Sequence, residues 1–322
     1  MKKKIFSLFV ALMATVAVQA QIISVVSPSG ATSLYRTLPE AIEGAQSGSV
    51  VYLPGGSFTT DTVKIRKKLT IIGVGHRANG DNVDGITTIS GDLYFAPGSD
   101  GSAVMACYFK DNIFIGNNGG LAYQVNDIFV NRCILNRLHI SHNKCSGIIV
   151  KQNYIRSYVT FGGATGTFTN NIVGYIDGLK GGVIRYNIFT RSTGNPTQCE
   201  VCKACFPSLI ANNIFVVTRG INFSSDTNVS GNMGKHETDE LFISSDWNDV
   251  FVNYNNATIS PASDFHFKDE YKQYESQVGI YAGEGFDDSQ LAPVPHIIHK
   301  DIDEKTDAAG KLKVRIRVKA SE

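Results

Sequence analysis

The stretch "LIANNIFVV" (209–217) places two asparagines between short apolar runs, and the chain returns to this arrangement several times. Similar stretches are "YFKDNIFIG" (108–116), "IIVKQNYIR" (148–156), "GTFTNNIVG" (166–174) and "VIRYNIFTR" (183–191). Aligned on the residue before the second apolar run, they give an anchor series with spacings of 20, 21, 18, 16, 26 and 19 residues: Asn112, Arg132, Asn153, Asn171, Asn187, Asn213 and Asn232. Self-similarity at a period near 20 residues is the signature of a repeat architecture.

A large or branched apolar residue stands three positions before every anchor. These residues are Phe109, Phe129, Val150, Phe168, Ile184, Ile210 and Val229. Such side chains favour strands, and glycine-rich returns such as "FGGATGTFT" (161–169) favour turns rather than the helical returns of leucine-rich repeats. The pattern therefore predicts an all-β solenoid, namely a single-stranded right-handed parallel β-helix with coils about 4.8 Å apart.

The anchor asparagines would stand at the corner between two strands of each coil. Asparagine tolerates the left-handed conformation that a tight corner requires, and amides in successive coils can hydrogen-bond along the stack. We predict such a structural ladder from Asn112, Asn153, Asn171, Asn187, Asn213 and Asn232. The alternative is that they are ordinary turn residues without a ladder.

The first twenty residues have the composition of a signal peptide. Three lysines at positions 2–4 precede an apolar run over 5–18, and "VQA" (18–20) supplies the small residues of a cleavage site. We expect cleavage before Gln21 and an exported protein in the periplasm, on the cell surface or in the medium. No later apolar run approaches the length of a membrane-spanning helix.

The stretch "LYRTLPEAIEGAQSGSVVYLPGGSFTTDTVKIRKKLTIIGVG" (34–75) resembles the start of pectate-lyase-like right-handed parallel β-helix proteins. The closing stretch "SDFHFKDEY" (263–271) is similar to the end of secreted members from Bacteroidetes. The resemblance implies a short helix that caps the stack. The residues agree, because Thr37 and Glu40 form a capping-box pair and Leu38, Ala41 and Ile42 share one apolar face.

These features predict four regions of the chain: a signal peptide (1–20), an N-terminal cap (21–58), the coils (59–256) and a closing segment with a tail strand (257–322). The tail "KLKVRIRVK" (311–319) alternates basic and apolar residues, as in an amphipathic strand. One strand is not stable alone. We therefore expect the tail to join the edge of the stack or another chain.

The resemblance also implies polysaccharide lyases or hydrolases, whose sites contain a basic residue with calcium-binding carboxylates, or paired carboxylates. The sequence shows no such catalytic set, and it predicts no metal and no cofactor. It does predict a substrate-binding column of Lys110, Lys151 and Arg185, two residues before the anchors, on one outward face with a separation of about 10 Å. Such a column could bind an acidic polysaccharide, or it could serve only solubility.

Six cysteines are present, at positions 107, 133, 145, 199, 202 and 205. An exported chain meets oxidising conditions, so we predict disulfides among Cys199, Cys202 and Cys205, and between Cys133 and Cys145. Six cysteines allow fifteen pairings, and free thiols or a metal site in the 199–205 loop remain alternatives.

The formal net charge is +1, so no overall field attracts nucleic acid. Two classes of function remain. The first is an exported protein that binds polysaccharide along an outward strand face, with lyase or hydrolase action left open. The second is a non-catalytic surface or periplasmic scaffold or adhesin. The sequence predicts no oligomeric state.

Overall fold

A computed structural model describes residues 21–76, 85–118, 121–190, 202–203, 205–216, 227–235, 239–254, 260, 262–303 and 305–319. The predicted signal peptide and Cys199 lie outside these residues. Within them, no helix is both long enough and apolar enough to cross a bilayer.

The described chain is mostly β-structure. In chain order its strands are β1 (Ile23–Val26), β2 (Thr32–Tyr35), β3 (Ser49–Tyr52), β4 (Gly56–Ile65), β5 (Leu69–Ile72), β6 (Thr87–Phe95), β7 (Ala103–Met105), β8 (Tyr108–Phe109), β9 (Asn112–Ile115), β10 (Asn117–Asn118), β11 (Leu121–Ala122), β12 (Phe129–Asn131), β13 (Ile134–Leu135), β14 (Arg137–Ile140), β15 (Ile148–Lys151), β16 (Tyr154–Thr160), β17 (Gly166–Thr169), β18 (Ile172–Asp177), β19 (Gly182–Arg185), β20 (Ile188–Phe189), β21 (Cys202–Lys203), β22 (Leu209–Ala211), β23 (Ile214–Phe215), β24 (Asn228–Ser230), β25 (Met233–Gly234), β26 (Leu241–Phe242), β27 (Phe251–Asn253), β28 (Asp264–Phe267), β29 (His296–Ile302) and β30 (Val314–Lys319). The helices are α1 (Leu38–Gly44), α2 (Trp247–Val250) and a 3₁₀ helix (Asp269–Tyr274).

Two large sheets carry the fold. The first sheet has the strand order β2-β1-β3-β5-β7-β12-β15-β17-β19-β22-β24, and its pairing is parallel from β3 onward. The second sheet contains β4, β6, β8, β9, β13, β14, β16, β18, β20, β21, β23, β25 and β26. Successive coils add strands to both sheets, so the all-β solenoid expected from the repeat is confirmed. Thr37 caps the N-terminus of helix α1, where its hydroxyl accepts from the Glu40 amide, and the helix buries Leu38, Ala41 and Ile42.

The core contains a continuous apolar column on the inner side of the first sheet. Its members pair in register and are fully buried: Val104, Val130, Val150, Phe168, Ile184 and Ile210. Three expected members are placed differently. Phe129 lies one residue out of register, beside Ile149 on the outer side. Phe109 is buried but belongs to the second sheet, and Val229 in the last strand of the first sheet is 41% exposed.

An amide ladder runs along one corner of the stack through five buried asparagines. Each side-chain oxygen accepts from the backbone N–H of the preceding coil, at 2.9 Å from Asn171 to the Asn153 amide and at 2.9 Å from Asn187 to the Asn171 amide. Each Nδ2 group donates to a backbone carbonyl of the preceding coil, and in the first four asparagines it also donates to a carbonyl of its own coil. The ladder consists of Asn153, Asn171, Asn187, Asn213 and Asn232.

The first two anchors, Asn112 and Arg132, were misaligned. Asn112 begins β9 in the second sheet and donates to Asp92, so the prediction that it joins the ladder is wrong. Arg132 occupies the left-handed corner position just before the ladder, with a φ of 50°, as does Gln152 with a φ of 56°. Cys133 takes the ladder position instead, where its N–H donates to the Asn153 side chain.

Three of the described cysteines are free thiols. Cys107, Cys133 and Cys145 are buried and form no disulfide, so the predicted bond between Cys133 and Cys145 is not formed. Cys205 is also buried. The Cys133 thiol donates to the carbonyl of Asn131, as a ladder amide would, while the Cys145 thiol donates to Tyr123. The two thiols therefore have separate backbone partners. The side chain of Cys202, like Cys199, lies outside the described residues.

The closing segment contains a strap, residues 279–291, that runs back along the ladder corner. Corner residues of successive coils bind it: the Asn212 carbonyl accepts from Gly279, the Asn170 side chain donates to Ile280 and Ala282, Gln152 donates to Gly285, and Arg132 donates to Leu291 and pairs with Asp287. The strap thus covers the outer side of this corner.

The tail strand β30 does not join the edge of the stack. It pairs antiparallel with β29, from His296 opposite Lys319 to Ile302 opposite Val314. The expectation that β30 extends the stack is therefore wrong, because the preceding segment supplies a local partner strand.

Candidate functional site

The predicted basic column is only partly assembled. Lys151 and Arg185 are in register through Thr169, so they share the outer face of the first sheet two coils apart. Lys110 follows β8 in the second sheet, and the expectation that it belongs to the same column is wrong. The error has the same origin as the misplaced Asn112, since both residues belong to "KDNIF", which resembles a corner repeat without forming one.

The two cations that remain are engaged within the protein itself. Lys151 forms an ion pair with Glu284 of the strap, and burial, followed by the nearby Arg132 charge, lowers its pKa. Arg185 donates to Asn212 at 3.2 Å, and its guanidinium carbon lies 4.5 Å from the Tyr186 ring centroid. These contacts attach the strap and stabilise the corner, so the column does not form an open binding track.

A different feature occupies the outer face of the second sheet. We call it the aromatic face and define it by Tyr94, Phe114, His139, Tyr158 and Tyr175. Tyr94, Phe114 and His139 pair in register on β6, β9 and β14. Tyr158 and Tyr175 pair on β16 and β18, beside a bulge. Each is only partly buried, while the following residue along the strand is buried in the core.

The rings of the aromatic face contact one another across five strands. Tyr94 and Phe114 stack at 4.5 Å between centroids, and Phe114 and His139 stack at 5.0 Å. Tyr158 meets His139 edge-on at 5.7 Å and stacks on Tyr175 at 4.9 Å. Such contacts hold the rings in fixed positions, so the face presents a preorganised apolar surface.

Charged groups border this surface. The Arg137 guanidinium lies 5.0 Å from the Tyr158 ring centroid, and Arg137 is exposed. Burial and the neighbouring Asp92 carboxylate raise the pKa of Tyr94. Burial, Tyr158 and Asp177 raise the pKa of Tyr175. The two tyrosines therefore keep their hydroxyl protons at neutral pH and can donate hydrogen bonds.

His139 lies at the centre of the aromatic face. Its pKa is lowered from 6.5, mainly by burial and then by the Arg137 charge, although Asp92 acts in the opposite direction. The imidazole is therefore mainly neutral at pH 7. A neutral imidazole can stack as an aromatic ring, as it does on Phe114, and can also donate and accept hydrogen bonds.

Two carboxylates of adjoining coils, Asp92 and Asp111, have structural partners. Asp92 accepts from both the backbone and side-chain nitrogens of Asn112 at 3.1 Å. Asp111 accepts from the Gly91 amide at 2.8 Å. These contacts hold consecutive coils together. In the described part of the chain no cluster of three or more metal-ligating side chains occurs. The arrangement suits ligand binding better than acid–base chemistry by paired carboxylates.

Sequence reasoning did not identify the aromatic face. The available signal was an aromatic ring followed directly by an apolar residue, at spacings of 20, 25, 19 and 17 residues from Tyr94 to Tyr175. The spacing of these aromatic residues is less regular than that of the corner residues, because loops of different length and the bulge in β16 lie between them.

A scan of protein-family models, a search of curated proteins and a search of solved structures each returned no match.

Proposed function

We propose that this protein is exported and binds polysaccharide along the aromatic face of its second sheet. The observation that carries the proposal is the fixed row of Tyr94, Phe114, His139, Tyr158 and Tyr175 across adjacent strands, bordered by Arg137 and Asp177. The signal-peptide pattern of residues 1–20 supports export.

The proposal includes the finer fold assignment: a right-handed parallel β-helix of the pectate-lyase-like type. Parallel strands joined by crossovers within one sheet are right-handed in nearly all known cases. The in-register stacking of both sheets and the capping helix α1 agree with this assignment. In such a fold an outer strand face offers a long linear surface, which suits a linear polymer.

The chemistry of the face matches that of sugar rings. A pyranose has a flat apolar side, which packs against an aromatic ring, and a rim of hydroxyl groups, which need hydrogen-bond partners. Tyr94 and Tyr175 supply hydroxyl donors, His139 supplies a donor and an acceptor, and Asp177 supplies acceptors. Arg137 can add a bidentate contact to a sugar carboxylate. Apolar walls with a few placed polar groups are typical of ligand sites.

The direct test is a binding panel of neutral and acidic polysaccharides, measured by affinity electrophoresis and calorimetry with the mature protein. Truncating a central aromatic contact typically costs more than about 1 kcal/mol. We therefore expect Phe114→Ala and Tyr158→Ala to weaken binding at least about fivefold each. Phe242→Ala is the matched control, because Phe242 is 50% exposed at β26, outside the aromatic face. Equal binding by all variants to every glycan would contradict the proposal.

The same assays can detect catalysis. Unsaturated products would absorb in the ultraviolet and would indicate a lyase, whereas new reducing ends without absorbance would indicate a hydrolase. The structural roles of Asp92 and Asp111 favour binding without cleavage. The second candidate is a non-catalytic scaffold or adhesin, which predicts no glycan affinity at the aromatic face.

A further inference from the structure

The C-terminal hairpin β29–β30 carries the most concentrated run of exposed basic side chains in the described structure. All six residues of β30 are exposed. Arg315 and Arg317 project from one face of the strand because alternate residues of a strand share a face. Lys313, just before the strand, continues the alternation, and Lys311 precedes it in sequence. Successive cations along this row are about 6.8 Å apart.

Among the described residues, no carboxylate forms an ion pair with Lys311, Lys313, Arg315 or Arg317. Asp301 stands opposite Arg315 in the hairpin without forming a salt bridge to it. The contrast with Lys151, which binds Glu284, is direct.

The rest of the mature protein does not share this charge. The chain has 30 lysines and arginines and 29 aspartates and glutamates, and residues 1–20 hold three lysines and no acid. Residues 21–322 therefore carry 27 basic and 29 acidic residues, a formal net charge of −2. A polyanion would thus be attracted to the hairpin by its local field rather than by the molecule as a whole.

We propose that the basic face of β30 binds an anionic polysaccharide whose carboxylate or sulfate groups lie along the row of cations. Arginine offers a planar fork to such groups, and lysine offers a point charge. This site is separate from the aromatic face, and its occupancy does not require the function proposed there.

The arrangement of the hairpin favours a linear polymer over a membrane surface. Val314, Ile316 and Val318 are about half exposed, but they lie on the opposite face from the cations. A bilayer could contact both the apolar and the basic side chains only if they lay on the same face of the hairpin. A polymer chain needs only the row of cations.

The test uses the mature chain and fluorescein-labelled polygalacturonate and dextran sulfate, followed by anisotropy at about 20 mM and 300 mM salt. The variant Lys313→Ser/Arg315→Ser/Arg317→Ser removes three cations. Each exposed ionic contact contributes about a two- to fivefold factor in affinity. We expect a loss of about tenfold or more at low salt, and we expect high salt to weaken the wild type in the same way by screening.

Two controls separate the hairpin from other causes. Lys110→Ser/Lys144→Ser/Lys180→Ser removes the same charge from exposed positions elsewhere and should retain most of the affinity. Ile316→Thr changes the apolar face and should bind as the wild type does. Because β30 is exposed throughout, we expect all these variants to keep the wild-type melting temperature.

The contrary outcomes are distinct. An equal loss of affinity in both triple variants would show that net charge alone determines binding, which would overturn the proposal. Stronger binding to anionic phospholipid vesicles, abolished by Ile316→Thr, would assign the hairpin to a membrane, and equal binding of duplex DNA would overturn the proposed selectivity for polysaccharide. Neutral glycans carry no charge for the hairpin to bind, so their binding reports on the aromatic face alone. A wild type that binds no neutral glycan but loses polygalacturonate in the hairpin variant would show that the aromatic-face proposal had failed separately.

Discussion

The outer faces of the two sheets differ, although one core supports both. Along the corner of the first sheet, the strap lies over the stack, and Lys151 and Arg185 are paired with groups of the protein itself. On the second sheet, aromatic rings stack in the open without a covering segment among the described residues. An outward polar residue in a solenoid therefore indicates a binding face only where the chain does not return to cover it.

The strap binds along this corner because the corner contains a row of backbone bends. Arg132, Gln152, Asn170, Tyr186 and Asn212 all adopt positive φ angles between 50° and 59°. This conformation directs their side chains away from the ladder, where amide and guanidinium groups meet strap carbonyls. Among the described residues the second sheet has no equivalent row, and its ring stacks need no partner segment.

The largest expected effect comes from the shared core. Phe168→Asp would bury an unpaired carboxylate in the apolar column, at a cost of more than about 4 kcal/mol. We expect the variant to lose the fold, and with it both outer faces, as seen by circular dichroism and urea unfolding. Thr169→Asp is the matched control, since it places the same charge one residue away on the outer side. Comparable stability of the two variants would contradict the inward assignment of Phe168.

A smaller effect should separate the covered face from the open one. Gly283 in the strap has a φ of +67°, and a Cβ there would lie 2.5 Å from the Tyr186 ring. Gly310, in the hairpin turn, has a φ of +74°, and no atom lies within 4 Å of the point that a Cβ would occupy. Both alanine variants bear a backbone cost of about 1–2 kcal/mol, but only Gly283→Ala also adds a steric clash.

We therefore expect Gly283→Ala to lower the free energy of unfolding by about 1–3 kcal/mol more than Gly310→Ala does. It should also speed proteolysis within the strap while leaving glycan binding at the aromatic face unchanged. Equal proteolysis of the two variants would show that the strap is not held against Tyr186. Loss of glycan binding would show that the two faces are coupled.

Much of the fold was predictable from the corner sequence. The period near 20 and the inward column from Val150 to Ile210 come from short-range alternation, which the solenoid repeats with little change. The two misaligned anchors had a physical cause. A thiol fills the ladder position at Cys133, so the polar amide that marks the other coils is absent there, while Asn112 mimics the motif in another strand.

The candidate site was less predictable, because its members depend on the second strand of each coil. Loop lengths between coils shift the register there, and the bulge in β16 moves Tyr158 relative to His139. The covering strap was also invisible, since nothing in "VGIYAGEGF" (278–286) indicates which corner it contacts. Contacts between residues more than a hundred positions apart, such as Asn170 with Ile280, have no local signal.

The smallest expected effect concerns the role of His139 in the aromatic face. Its folded-state pKa lies below the ordinary value of 6.5, because burial and then Arg137 disfavour the charged ring. The unfolded chain therefore binds a proton more readily, so stability should fall as the pH drops below about 6.5 and should be unaffected above it. Because the ring is only partly buried and Asp92 opposes the shift, solvent screening keeps the effect under about 1 kcal/mol.

His139→Phe keeps a ring that can stack on Phe114 but removes the titration. Urea unfolding at pH 7.5 and pH 5.0 should give a smaller loss of stability on acidification in this variant than in the wild type. If the neutral imidazole serves mainly as an aromatic surface, acidification should also weaken glycan binding less in His139→Phe than in the wild type. The Phe ring carries no charge at either pH. An unchanged pH dependence in the variant would assign acid sensitivity to other groups. A large loss of affinity at pH 7.5 would instead show that the ring nitrogens of His139 contact the ligand, which would make the open face chemically more specific than an apolar platform.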